Sequence, residues 1–224
     1  LNVFRAYEDK AMRLVSHMQV LCRMEHLGRL DEESRRHLKE AGANITDRRE
    51  LVERTDRDIV TNYHVVEDSD SITVSLYNGT TLKAEMIGYD ESNDIAVLKV
   101  EADNLIPVVL GSSEKLNVGD SVVAIGNPLG ELTFSLTAGT VSAKDRKVTL
   151  SSTVTMDLIQ TDCAINSGNS GGALFNQYGE VIGVTNAKYS SSSGSEASID
   201  NIGFAIPINS IRGIVESIIE KGYI

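Results

Sequence analysis

Between residues 72 and 86 apolar side chains fall on every second position. Ile72, Val74 and Leu76 lead to Asn78-Gly79, and Leu82, Ala84 and Met86 follow. A period of two lines one face of a strand, and Asn-Gly is the pair that a tight hairpin turn with positive φ demands. Further β-type runs occupy residues 95–100, 121–125, 133–142, 147–150, 155–161, 173–175, 181–186 and 202–206, with a second hairpin turn at Asn176-Gln177-Tyr178-Gly179. Short strands about ten residues apart, joined by glycine-rich turns, predict a mainly β fold, an antiparallel barrel or sandwich. One helix closes the chain. Asn209 is its expected cap, Ile211, Ile214, Val215, Ile218 and Ile219 form its apolar face, and Gly222 is its expected stop.

Residues 1–57 have a different composition. They hold 12 of the 21 Lys and Arg, three of the four His (His17, His26 and His37) and only two of the 18 Gly. Met12, Val15, Met18, Leu21 and Met24 recur at steps of three, which predicts an amphipathic helix. Asp31 and either Thr46 or Asp47 are candidate caps for two more helices, with Gly42 between them. The chain therefore divides at about residue 58 into an atypical helical segment and a strand-rich domain of residues 58–224. The first part reads either as a helical extension packed on the domain or binding a partner, or as a stretch foreign to it.

The formal net charge of −11 argues against a nucleic-acid binder held by phosphate contacts. No apolar run nears the ~20 residues that a membrane helix requires. The chain opens on Leu1 with no apolar leader behind it, so a fragment or processed product is expected. Cys22 and Cys163 lie in no metal-ligand spacing and cannot build a disulfide framework, leaving one bridge between them as an open alternative.

Three segments of the strand-rich part carry chemistry. His64, in Val60-Thr61-Asn62-Tyr63-His64-Val65-Val66, is the only histidine after residue 57 and ends an apolar strand-like run. Asp94 precedes the continuous apolar run Ile95-Ala96-Val97-Leu98, so its carboxylate lies at the mouth of a core and needs a partner. Ser170 sits in Ser167-Gly168-Asn169-Ser170-Gly171-Gly172, where glycines permit a turn that aims successive N–H groups at one point. A nucleophile, a base, an acid that orients the base, and oxyanion donors are what amide hydrolysis needs. Each segment alone also has a plain structural reading: a satisfied histidine, a turn aspartate, a glycine-dense turn.

Taken in order, with gaps of 30 and 76 residues, His64, Asp94 and Ser170 resemble the catalytic set of HtrA (Deg)-type trypsin-like serine proteases. The resemblance runs from about residue 59 to 224. It is carried by TNYHVV, NDIAVLKV, GNPLG (126–130), TDCAINSGNSGGAL and GFAIPIN (203–209). It implies a chymotrypsin-type fold of two antiparallel β-barrels, with His64 and Asp94 from the first and Ser170 from the second. It further implies an oxyanion hole from the N–H groups of Gly168 and Ser170, and a primary specificity pocket bordered by Ile202, Gly203, Phe204 and Ala205. Apolar residues there suit small or medium aliphatic P1 side chains. The resemblance also implies regulatory loops at 126–137 and 190–200, which leads to the expectation that the free enzyme rests poorly ordered until a ligand or assembly activates it. No metal or cofactor is implied. The implied substrates are unfolded or misfolded proteins, the setting is extracytoplasmic, and the assembly is a homotrimer.

The match departs from the family at three small positions, Cys163, Ser167 and Ala173, and at one large one. Two first-barrel strands with a Gly-Ser-Gly segment are expected ahead of His64, and residues 1–57 hold neither. The first barrel is therefore expected to have open edges and to hold His64 and Asp94 loosely. The chain also stops about where a linker to a peptide-binding PDZ domain begins in the family. The competing reading is a catalytically impaired pseudoprotease or protein-binding module, including one in which the helical segment does the binding.

Overall fold

In the computed structural model the described residues are 57–222, except 77–78, 103–104, 106, 128–134, 150–154 and 188–200. The predicted N-terminal helices, Cys22 and Asn78 lie outside them, as do most of the two regulatory loops.

Ten strands and two helices are described. The first sheet has the order β1-β4-β3-β2, built from β1 (Asp58–Thr61), β2 (Ile72–Ser75), β3 (Thr81–Asp90) and β4 (Ile95–Val100). The second is a closed barrel, β10-β7-β6-β5-β8-β9. Its strands are β5 (Ser121–Gly126), β6 (Ser135–Thr149), β7 (Thr155–Thr161), β8 (Ala173–Asn176), β9 (Val181–Thr185) and β10 (Gly203–Pro207). All the strand pairs are antiparallel. Two β units joined in sequence and followed by a helix form the expected double-barrel architecture. Only the second unit closes among the described residues, and β1 and β2 are the edges of the first.

The alternation that predicted β2 and β3 is visible as burial: Val74 and Ala84 point into the core while Thr73, Ser75, Lys83 and Glu85 face water. β4 is buried at every position but Lys99, as a strand covered on both faces must be. The runs at 133–142 and 147–150, expected as two strands, are one strand, β6. Register shifts at Val141/Ala143 and Ala143/Arg146, with Asp145 at φ 50°, bend it and explain the break in its pattern. His64 lies not at a strand end but on a one-turn helix, α1 (Tyr63–Val66).

The closing helix α2 (Ile208–Lys221) buries Ile208, Ile211 and Ile218, and ends at Gly222 with φ 77° and its N–H on Ile218 O. Asn209 is not its cap. The helix starts one residue earlier, behind Pro207, and the Asn209 side chain instead accepts from the Ser113 N–H at 2.8 Å and from the Ser113 hydroxyl at 3.0 Å. That ties the helix to the 3-10 turn Ser113–Lys115.

The two sheets share apolar ground. Ile95, the first residue of β4, is fully buried in the main cluster of the second barrel, with Val123, Ile125, Phe175, Val184 and Ile206. Val60 of β1 packs against the same cluster. Ile218 of α2 meets Gly88 of β3 so closely that a side chain there would collide with it. The first sheet, with its open edges, is thus keyed to the barrel by the strand that begins beside Asp94 and by the helix.

Candidate active site

Asp94 is the last residue of the β3–β4 turn and adopts the left-handed conformation at φ 53°, which Asp tolerates better than most residues. Asp90 shapes this turn, accepting from the Asn93 N–H at 3.1 Å and from Asn93 Nδ2 at 2.6 Å. The Asp94 carboxylate is buried and fully engaged. Oδ1 accepts from the His64 backbone N–H at 2.9 Å, and Oδ2 lies 2.7 Å from His64 Nδ1. Oδ2 also accepts from Asn186 Nδ2 at 2.6 Å, across from the second barrel. An Nδ1–H held by Asp94 leaves Nε2 of a neutral imidazole as the basic nitrogen. His64 and Asp94 are therefore brought together, and tightly, despite the open sheet.

Ser170 is 8% exposed at the turn between β7 and β8. Its Oγ accepts from the N–H of Ala187 at 3.0 Å. No hydrogen bond joins Ser170 to His64 among the described residues, although Ala187 directly follows the asparagine that holds Asp94. An accepted bond leaves the hydroxyl proton free to be donated. The loop itself is closely determined. Asn169 N donates to Asn166 O and Gly172 N to Asn169 O, while Gly171 N reaches both Thr185 O at 3.0 Å and Asn62 Oδ1 at 2.7 Å. Among the described residues, the N–H groups of Gly168 and Ser170 have no protein acceptor. Two unclaimed donors beside a serine hydroxyl, flanked by claimed ones, are what an anion would need. Gly171 has two reasons to be glycine: φ is +79°, and a Cβ would strike the Thr61 side chain.

Of the four residues expected at the specificity pocket, Gly203, Phe204 and Ala205 lie on β10, and Ile202 immediately precedes it. Gly203 approaches the Ile165 side chain closely, and Phe204 O accepts from Asn186 N at 2.9 Å. Ala205 has no exposed surface and packs in the barrel interior with Cys163, Ile165 and Ala187. Cys163 carries a free thiol, and burial pushes it above the ordinary thiol range. Next to His64, Tyr63 stacks on Tyr89 with ring centroids 4.3 Å apart.

A family model for the trypsin-like peptidase domain matches residues 51–184. The chain belongs to this family. Within it, the chain is similar to HtrA-type members. It is 43% identical over 171 residues to the serine protease Do-like HtrA of Bacillus subtilis, covering 74% of this chain and 37% of that protein. It is 49% identical over 164 residues to a probable periplasmic serine endoprotease, DegP-like, of Halomonas elongata, covering 73% and 33%. Among solved structures, the HtrA-type protease AlgW with a tripeptide matches at 41% identity and TM-score 0.67, over 76% of this chain and 55% of that one. The chain thus spans about a third of the length of these two curated relatives. As a trypsin-like peptidase it has the expected fold, and the resemblance to the HtrA type stands.

Reading of the sequence missed Asn62, Asn186 and Ala187 as parts of the site. Asn62 lies inside TNYHVV, but an asparagine two residues before a histidine carries no signal of what its two amide ends will meet. Asn186 and Ala187 follow β9 and reach the site only through barrel closure.

Proposed function

We propose that this chain is the protease domain of a serine endopeptidase that hydrolyses peptide bonds by a His64-Asp94-Ser170 triad. The observation that supports the reading is the 2.7 Å His64 Nδ1–Asp94 Oδ2 contact, with Asn186 bonded to that carboxylate and the next residue, Ala187, bonded to the Ser170 hydroxyl.

Ser170 Oγ turns toward His64 Nε2, transfers its proton there, and attacks the scissile carbonyl. The oxyanion takes the two unclaimed N–H groups, those of Gly168 and Ser170, and a donor of this kind contributes ~3 kcal/mol to lowering the barrier. Asp94 fixes the tautomer and stabilises the imidazolium without taking its proton. His64 then protonates the leaving amine, and water repeats the sequence on the acyl-enzyme. Nothing in this chemistry calls for a metal or cofactor.

The apolar residues Ile202, Gly203 and Phe204, with Ile165 beside Gly203, support a preference for small or medium aliphatic P1 side chains. Unfolded or misfolded proteins are the substrate class we propose, as the resemblance to the HtrA type implies. Two of the relatives, those of Halomonas elongata and Haemophilus influenzae, are named as probable periplasmic proteases, which supports an extracytoplasmic setting, and among the described residues no helix is long and apolar enough to cross a membrane. A homotrimer is the assembly we expect.

Cleavage of unfolded casein, and of peptides differing only at P1, tests this reading. Cutting after Val or Ala in preference to Lys, abolished by Ser170→Ala, is the expected result. Cutting that survives Ser170→Ala, or a preference for Lys, contradicts it. A folded chain that cuts nothing would point to the pseudoprotease reading.

A further inference from the structure

Asn62 has no exposed surface, and its side chain bonds with both ends of its amide, one to each β unit. Nδ2 donates to the backbone oxygen of Asp94 at 2.9 Å, within its own sheet. Oδ1 accepts from the N–H of Gly171 at 2.7 Å, in the other barrel and 109 residues away. From Gly171 the chain runs back to Ser170, whose Oγ accepts from Ala187 N; Asn186 then returns to the Asp94 carboxylate. These bonds form a closed circuit: Asn62, Asp94, Asn186, Ala187, Ser170, Gly171 and Asn62 again. It passes through acid and nucleophile alike and crosses between the sheets twice.

Neither backbone group depends on Asn62 for its only bond. Gly171 N also donates to Thr185 O at 3.0 Å, and Asp94 O also accepts from Tyr63 N at 3.2 Å. Truncating Asn62 therefore orphans no buried backbone group, and the usual penalty for a lost buried partner does not arise at those two positions. What is lost is the rigid strut between them. An amide of fixed length, bonded at both ends, sets a separation, which neither backup bond does because each stays within its own half of the site.

We propose that Asn62 is a positioning residue that sets the register of the His64–Asp94 pair against the Ser170 loop. The proposal rests on the reading of Ser170 as nucleophile. It also explains how a first sheet with open edges presents its acid and base to a nucleophile carried by another barrel. A shift of about 1 Å between reacting groups costs on the order of 100-fold in rate, so a strut of this kind governs turnover more than stability.

The test uses the full chain and two variants. Asn62→Ala removes both bonds; it is expected to lower kcat about 10- to 100-fold with KM changed less than about twofold and the circular dichroism unchanged. Asn62→Asp keeps the shape, and its carboxyl in neutral form restores a donor and an acceptor. Burial favours that neutral form. The ratio of its kcat to that of the unaltered chain is therefore expected to rise as pH falls. A kcat within twofold in Asn62→Ala, or a ratio for Asn62→Asp that does not change with pH, overturns the proposal.

An arm that needs no turnover separates this from failure of the protease reading. In Ser170→Ala protein, the NMR signals of the His64 ring are expected to move when Asn62→Ala is added. Ring signals that stay in place overturn the register role whether or not the chain is a protease. Should Asn62→Ala fail to fold, the isosteric Asn62→Asp carries both measurements.

Discussion

Asn186, directly after β9, and Asp94, directly before β4, stand 92 residues apart, yet Asn186 Nδ2 donates to Asp94 Oδ2 at 2.6 Å. The carboxylate that orients the imidazole is thus fastened to the barrel that carries the serine. With the two bonds from His64, the carboxylate accepts three.

Replacing Asn186 by Ala removes a charge-assisted bond, which is worth about 1.5–3 kcal/mol. The expected result is a fall of about 10- to 100-fold in kcat/KM on a peptide substrate. Asn186→Asp should do worse, because a second carboxylate would face the first. Steady-state kinetics decide it, and an Ala variant at the unaltered rate would remove Asn186 from the site.

Ile95 follows Asp94 in sequence and plugs the first sheet into the barrel core with no exposed surface. Truncation to Ala is expected to cost about 2–5 kcal/mol, read from the urea midpoint at constant slope. Val118, 66% exposed, is the control, and its change to Ala should stay within about 0.5 kcal/mol.

At Gly171 even a methyl group meets the Thr61 side chain, and the backbone is left-handed. Gly171→Ala should shift the Ser170 turn and suppress hydrolysis at least as strongly as Asn186→Ala. Equal activity in the variant would mean that the turn tolerates displacement.

Burial holds the Cys163 thiol protonated above its ordinary range. In a Cys22→Ser background, iodoacetamide at mildly alkaline pH should modify the folded chain far more slowly than the urea-unfolded one. The linkage has one sign. The folded state keeps a proton that the unfolded state releases, so this contribution is complete below the ordinary thiol range. It declines as pH rises toward the folded value. Urea midpoints that rise across that alkaline window would contradict it.

Much of this was legible beforehand because strands advertise themselves through alternation. Val74 and Ala84 are buried between exposed neighbours, and the apolar block Ile95 to Leu98 could only be a covered strand. The bend at Asp145 hid the continuity of β6, since a bulge breaks the period of two that defines a strand in sequence. Asn209 looked like a cap because local chemistry allowed it, and a partner 96 residues away, Ser113, claimed its side chain instead. The same limit applies at the site. His64, Asp94 and Ser170 stood out by residue type and neighbours. Asn62 and Asn186 act through atoms that meet only when the two sheets come together.

The central claim is that Ser170 is a nucleophile activated by His64, and active-site labelling tests it most directly. A fluorophosphonate should attach to the unaltered chain at Ser170. Labelling should vanish in Ser170→Ala and fall steeply in His64→Ala, with the circular dichroism of each variant unchanged. Labelling at the same rate without His64, or none in a properly folded chain, would contradict the account.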